Sequence, residues 1–127
     1  MVNVRDTKVV SVVDDDDSVR RSVNNLLRSL GFQVESFESA ESFLESSHRD
    51  NTGCLVLDLS MPGMTGEELV ENLARAGNPI PIVILTAHGD LPVRKRLLSL
   101  GVLAFLGKPF KSGELLAAVQ TAMRRQR

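Results

Sequence analysis

The sequence predicts an α/β domain, an open parallel sheet of five strands with five helices covering both faces. Strand-like and helix-like patterns alternate strictly along the 127 residues. The strand-like segments are mostly continuous apolar runs, as in parallel strands buried on both faces. The connections are short, which favours right-handed crossovers within one sheet. A closed β/α barrel would need more units than the chain holds.

The elements follow in order. Val9 to Val13 is the first apolar run, and Val19, Val23, Leu26, Leu27 and Leu30 then share one helical face that Gly31 terminates. The alternating "FQVESF" after Gly31 predicts a second strand near a sheet edge. Ser39 can cap a short helix carrying Phe43 and Leu44. Cys54 to Leu57 is the third strand, and Thr65 with Glu68 forms a capping box before Leu69, Val70, Leu73 and Ala76, with Gly77 as the stop. Pro81 to Leu85 is the fourth strand. Asp90 and Pro92 can open a helix carrying Val93, Leu97 and Leu98. A weaker run, Val102 to Leu106, is the fifth strand, and Ser112 can start a last helix with Leu115, Leu116, Val119, Ala122 and Met123.

Composition bounds the function. With 43% hydrophobic and 24% charged residues, the chain suits one globular domain. The net charge of −1 offers no basic field for nucleic acid or anionic membrane, so neither is expected as a direct partner. Cys54 is the single cysteine, which rules out an internal disulfide and reads as a small buried hydrophobe. Residues 1–8 are too polar for a signal peptide, and no apolar stretch is long enough to span a bilayer. The expected location is cytoplasmic.

In an open sheet of this kind the ligand crevice lies beyond the carboxyl ends of the strands. Those ends carry Asp14 and Asp15, Asp58, Thr86 and Lys108. If the first and third strands are neighbours, as in a flavodoxin-like order, three carboxylates share a crevice only about 4.8 Å across. Each like-charged pair at ~4 Å costs about 4 kcal/mol at an effective dielectric of ~20, so a cation must offset it. Lys108 supplies one charge. Mg²⁺ fits the remainder, because it takes one or two carboxylates, keeps waters and leaves positions for phosphate oxygens.

Asp16 and Asp17 have a simpler reading as first-turn acids that favour the helix dipole. An EF-hand loop from Asp14 to Asn25 fails, since Val19 stands where glycine is needed and Asn25 where glutamate is needed. A carboxylate beside a metal can act as a nucleophile toward phosphorus, and Asp58 is placed for this, with Thr86 and Lys108 to neutralise the phosphoryl oxygens.

Together, "VVDDDDSVR", "LVLDLSMPGMTG", "VILTAHGD" and "FLGKPF" resemble the receiver domain of two-component response regulators. The likeness covers about residues 8 to 122, with 44 residues from Asp14 to Asp58, 28 more to Thr86 and 22 more to Lys108. "TAHGDLP" and "SAESFL" are most similar to the FixJ-like branch.

That resemblance implies a CheY-like sheet of order 2-1-3-4-5. It also implies a phosphoacceptor Asp58 served by a sensor histidine kinase, and Mg²⁺ bound by Asp14, Asp15, Asp58 and the Ser60 backbone carbonyl. Thr86 and Phe105 would be switch residues, Ser60 and His88 would tune phosphate lifetime, and the bond before Pro109 would be cis. A homodimer formed on phosphorylation through the fourth helix, fifth strand and fifth helix is a further expectation. Such a domain is a signalling module, not an enzyme that turns over a separate substrate.

Residues 1–122 would form the receiver, and 123–127 the helix end or the start of a linker to an absent output domain, in this branch a DNA-binding one. A stand-alone regulator and a phosphorylation-independent docking module remain alternatives. An aspartyl phosphatase is disfavoured because Ser60 stands where its general acid would be, and a flavin carrier because the chain has no Trp or Tyr. Arg94, Lys95 and Arg96 depart from the milder family pattern, and read either as a solvated basic face or as an altered signalling surface.

Overall fold

The computed structural model describes residues 8–87 and 91–125. The elements run β1 (Val9–Val13), α1 (Asp17–Ser29), β2 (Val34–Phe37), α2 (Ala40–Glu45), a 3-10 turn (Ser47–Asn51), β3 (Thr52–Asp58), α3 (Gly66–Arg75), β4 (Ile82–Thr86), α4 (Leu91–Ser99), β5 (Val102–Gly107) and α5 (Ser112–Arg124). All strand pairings are parallel, in the order β2-β1-β3-β4-β5. The order reverses between β1 and β3, which sets a crevice at their carboxyl ends.

The pleat divides the core into two layers. Along β3, Leu55 and Leu57 point into a cluster with Phe43, Leu69, Leu73, Ile84 and Leu97, while Cys54 and Val56 join Val23, Leu27, Leu115 and Val119 on the other side. The period of two in a strand makes one continuous apolar run serve both layers. Burial pushes the Cys54 thiol up to about 12, so it stays a neutral core group.

Helix ends follow local chemistry. The Asp16 carboxylate accepts the Ser18 and Val19 N–H groups as the cap of α1, and Thr65 with Glu68 makes the reciprocal capping box of α3. Gly31, Gly77 and Gly101 each stop a helix with positive φ. Ser112 starts α5 as expected, and Lys111 occupies the cap position without a side-chain bond. Two features differ from the expected elements. The third strand starts at Thr52, before the apolar run, where it pairs with Val9; the Thr52 hydroxyl is buried there with bonds to Ser11 and the His48 carbonyl. Ser47 to Asn51 forms a 3-10 turn that carries no apolar period to betray it. His88 and the helix-opening Asp90 lie outside the described residues.

Candidate functional site

Four strand ends converge on one edge of the sheet. Asp14 leaves β1 fully buried, Asp58 ends β3 with 5% exposure, and Lys108 follows β5. The Lys108 ammonium lies 2.9 Å from Asp14 Oδ2 and 3.3 Å from Asp58 Oδ1. Carboxylate oxygens of Asp14, Asp15 and Asp58 fall within 4.8 Å of one another, with Asp15 exposed at the mouth. The parallel pairing of β1 with β3, Val13 opposite Leu57, dictates this meeting.

The local backbone completes the arrangement. Asp14 Oδ1 accepts the Asp16 N–H at 2.9 Å, which turns the chain out of β1. Asp58 Oδ1 accepts the Ser60 N–H at 3.3 Å, so Ser60 sits against the carboxylate at the start of the next loop. The Lys108 N–H donates to the Thr86 carbonyl at 2.9 Å, tying the ends of β4 and β5 together, and the Lys108–Pro109 bond is cis. Ser60 and Thr86 both line a depression of about 580 Å³, with Leu59, Met61 and Val93.

Electrostatics sharpen the picture. Desolvation, and then the Asp14 charge, push the Asp58 carboxyl above its ordinary range, and Lys108 only partly counters this. Burial pulls the Lys108 ammonium down, but its hydrogen bond and charge pairing with Asp14, followed by Asp58, outweigh that and raise it. Asp14 Oδ2 is buried and faces the Lys108 ammonium, which it shares with Asp58. An all-oxygen donor set, with a buried acceptor that one amine only partly serves, suits a hard divalent cation.

Two of the three basic residues of α4 pair within the fold. The Arg94 guanidinium lies over the Phe105 ring, 5.2 Å from its centroid. Arg96 pairs with both Glu67 and Glu71 of α3. Lys95 is exposed. All three side chains are exposed, so the solvated-face reading stands, with Arg94 and Arg96 also pairing within the fold.

Sequence reasoning passed over three residues that shape the site. A Cβ on Gly66 would lie 2.2 Å from the Asp58 carbonyl oxygen, so only glycine lets α3 start against the end of β3. Glu41 of α2 accepts the Met64 N–H at 3.0 Å, which anchors the loop after Asp58 and lowers the Glu41 carboxyl from its usual range. Arg20 of α1 donates to the Asp14 carbonyl at 2.6 Å. Gly66 directly after the capping Thr65 was a readable signal; the other two contacts cross between elements and leave none.

Comparison with known proteins agrees with the geometry. The response regulator receiver domain family matches residues 10–120. Nodulation protein W of Bradyrhizobium diazoefficiens is 47% identical over 119 residues, covering 94% of this chain and 52% of that protein. The transcriptional regulatory protein FixJ of the same species is 41% identical over 115 residues, covering 91% and 56%. The chain thus spans about half the length of the curated relatives it matches. Among solved structures, the response regulator StyR superposes with a TM-score of 0.88 at 48% identity, covering 94% of this chain and 61% of that one. The structure of FixJ-N gives 0.82 at 36%, covering 98% and 96%. A buried acid pair closed by a lysine at the strand ends, on this sheet order and at these identities, makes the chain a member of the response regulator receiver domain family.

Proposed function

We propose that Asp58 is the phosphoacceptor of a two-component phosphorelay. The Asp58 carboxylate attacks the phosphorus of a phosphohistidine on a sensor histidine kinase; the P–N bond breaks, its electron pair returns to the imidazole, and an acyl phosphate forms on Asp58. The observation that carries this is the meeting of Asp14, Asp58 and Lys108 within 3.3 Å contacts at the sheet edge.

Asp14, Asp15, Asp58 and the Ser60 carbonyl would hold Mg²⁺. When bound, the ion supplies the positive charge that like-charged carboxylates and phosphoryl oxygens require. Lys108 pairs with one phosphoryl oxygen and the Thr86 hydroxyl bonds another. Phosphorylation biases a two-state packing of Thr86 and Phe105, and Ser60 and His88 tune how long the phosphate survives. The signal then leaves through α4, β5 and α5, the surface on which a second copy would dimerise.

Residues 1–122 form the receiver unit, and 123–127 are the end of its last helix or the start of a linker. The domain promotes its own phosphorylation and slow dephosphorylation in a cytoplasmic setting, without contacting nucleic acid itself. Relatives named as transcriptional regulators support transcription as the output of the whole protein.

Acetyl phosphate with Mg²⁺ tests this. Intact-mass measurement is expected to show one added phosphoryl group, lost in Asp58→Asn and on chelation of the metal. An unmodified native protein under those conditions would overturn the reading.

A further inference from the structure

We infer that Arg20 positions the candidate cation ligands by gripping the peptide that joins Asp14 to Asp15, an inference that rests on the metal reading proposed above. Arg20 lies on the first turn of α1, and its side chain is only 16% exposed. One guanidinium nitrogen donates to the Asp14 carbonyl at 2.6 Å, and the other donates to Asp17 Oδ1 at 3.0 Å. Both are charge-assisted bonds, and the planar fork fixes the angle between them.

The other groups of Asp14 are held as well. Its N–H donates to the Phe37 carbonyl at 3.2 Å, Oδ1 accepts the Asp16 N–H at 2.9 Å, and Oδ2 faces Lys108. Arg20 closes the last degree of freedom, the tilt of the peptide leading to Asp15. Asp15 is exposed, and its carboxylate direction follows from that tilt. A rotated peptide would carry it out of the 4.8 Å grouping with Asp14 and Asp58.

The acidic run thereby divides its work. Asp14 and Asp15 face the crevice, Asp16 caps α1, and Asp17 anchors the arginine that sets the first two.

Charge and geometry make opposite predictions here. Arg20 adds a positive charge beside a cation site, so if charge alone mattered, its removal would strengthen Mg²⁺ binding. Positioning demands the reverse. The test follows amide shifts of ¹⁵N-labelled protein during MgCl₂ titration, with thermal melts in parallel.

Arg20→Gln is expected to weaken Mg²⁺ about tenfold, the range seen when a partner of a metal ligand is lost. Arg20→Lys, which keeps the charge without the fork, is expected to remain weaker than native. With acetyl phosphate, the half-saturating Mg²⁺ concentration should rise by the same factor while the rate at saturating Mg²⁺ is retained, a split that general loosening of the fold would not give.

Native-like or tighter binding in Arg20→Gln or Arg20→Lys would overturn the assignment of Arg20 and leave the metal reading standing. Absence of any Mg²⁺-dependent shift in the native protein would overturn both.

Discussion

Ser11 of β1 and Thr52 at the start of β3 join through their hydroxyls at 2.8 Å, fully buried in the sheet. Asp14 and Asp58, at the other ends of the same strands, are also buried, yet they meet as like charges. The Thr52 hydroxyl donates to the His48 carbonyl, so the Ser11 hydroxyl must donate to Thr52, and every hydrogen is used. The hydroxyl pair is complete without any partner from outside. The carboxylate pair depends on Lys108, and even so Asp58 titrates above its ordinary range. One pair serves the fold; the other holds an electrostatic debt that a cation can relieve.

Four substitutions would break or sharpen that contrast. The largest effect is expected from Gly66→Ala, which drives a methyl group into the Asp58 carbonyl and should cost about 3 kcal/mol in urea unfolding. A near-native midpoint would show that α3 can retreat from the site cheaply. Lys108→Met leaves the buried Asp14 and Asp58 charges without their ammonium and should cost about 2 kcal/mol in metal-free buffer. Added Mg²⁺ should return part of that loss; no recovery would mean that the acids do not share an ion.

Asp58→Asn should act in the opposite direction, stabilising the protein by on the order of 1 kcal/mol at pH 7. The sign follows from the raised carboxyl of Asp58. Below the unfolded value of 3.8 both states are protonated and there is no penalty. As pH rises above 3.8 the unfolded state ionises first, so native stability falls until the folded carboxyl has also ionised. The advantage of Asp58→Asn should therefore be present at pH 7 and fade on acidification toward 3.8; a pH-independent difference would contradict the electrostatic account. Lys108 contributes the other way, its stabilisation complete below 10.5 and lost as pH rises through its elevated folded value.

The smallest change separates the two ends of the strands. Ser11→Ala removes one neutral hydrogen bond and should cost about 1 kcal/mol, with no pH dependence between 4 and 8 beyond that of the native protein, roughly as for other buried hydroxyl pairs. Phosphorylation by acetyl phosphate should be unchanged. A loss of phosphorylation would mean that the two pairs are coupled along β1 and β3.

Much of this was readable because the chemistry sits at strand ends. Val9–Val13, interrupted only by Ser11, and the run into Asp58 are apolar stretches, and the first charged residue after such a run marks the carboxyl edge of the sheet. That argument placed Asp14, Asp58, Thr86 and Lys108 at one edge. It did not reach Arg94 and Arg96, whose partners Phe105, Glu67 and Glu71 lie on other elements. Three bases in a row read as a solvated face, and only the neighbouring helix and strand show which of them also find partners.

By itself, then, the order of residues determined the alternation of strands and helices, the caps at Ser39 and Thr65, and the identity of the groups that gather at the sheet edge, because these depend on periodicity and on neighbours a few residues away. Only the tertiary structure decided that α3 must begin with Gly66 against the Asp58 carbonyl, that Arg20 turns back onto the Asp14 peptide, and that the α4 arginines close onto α3 and β5. Those contacts arise where separate elements pack, and the distance between two packed surfaces is set by every side chain between them, not by any local pattern.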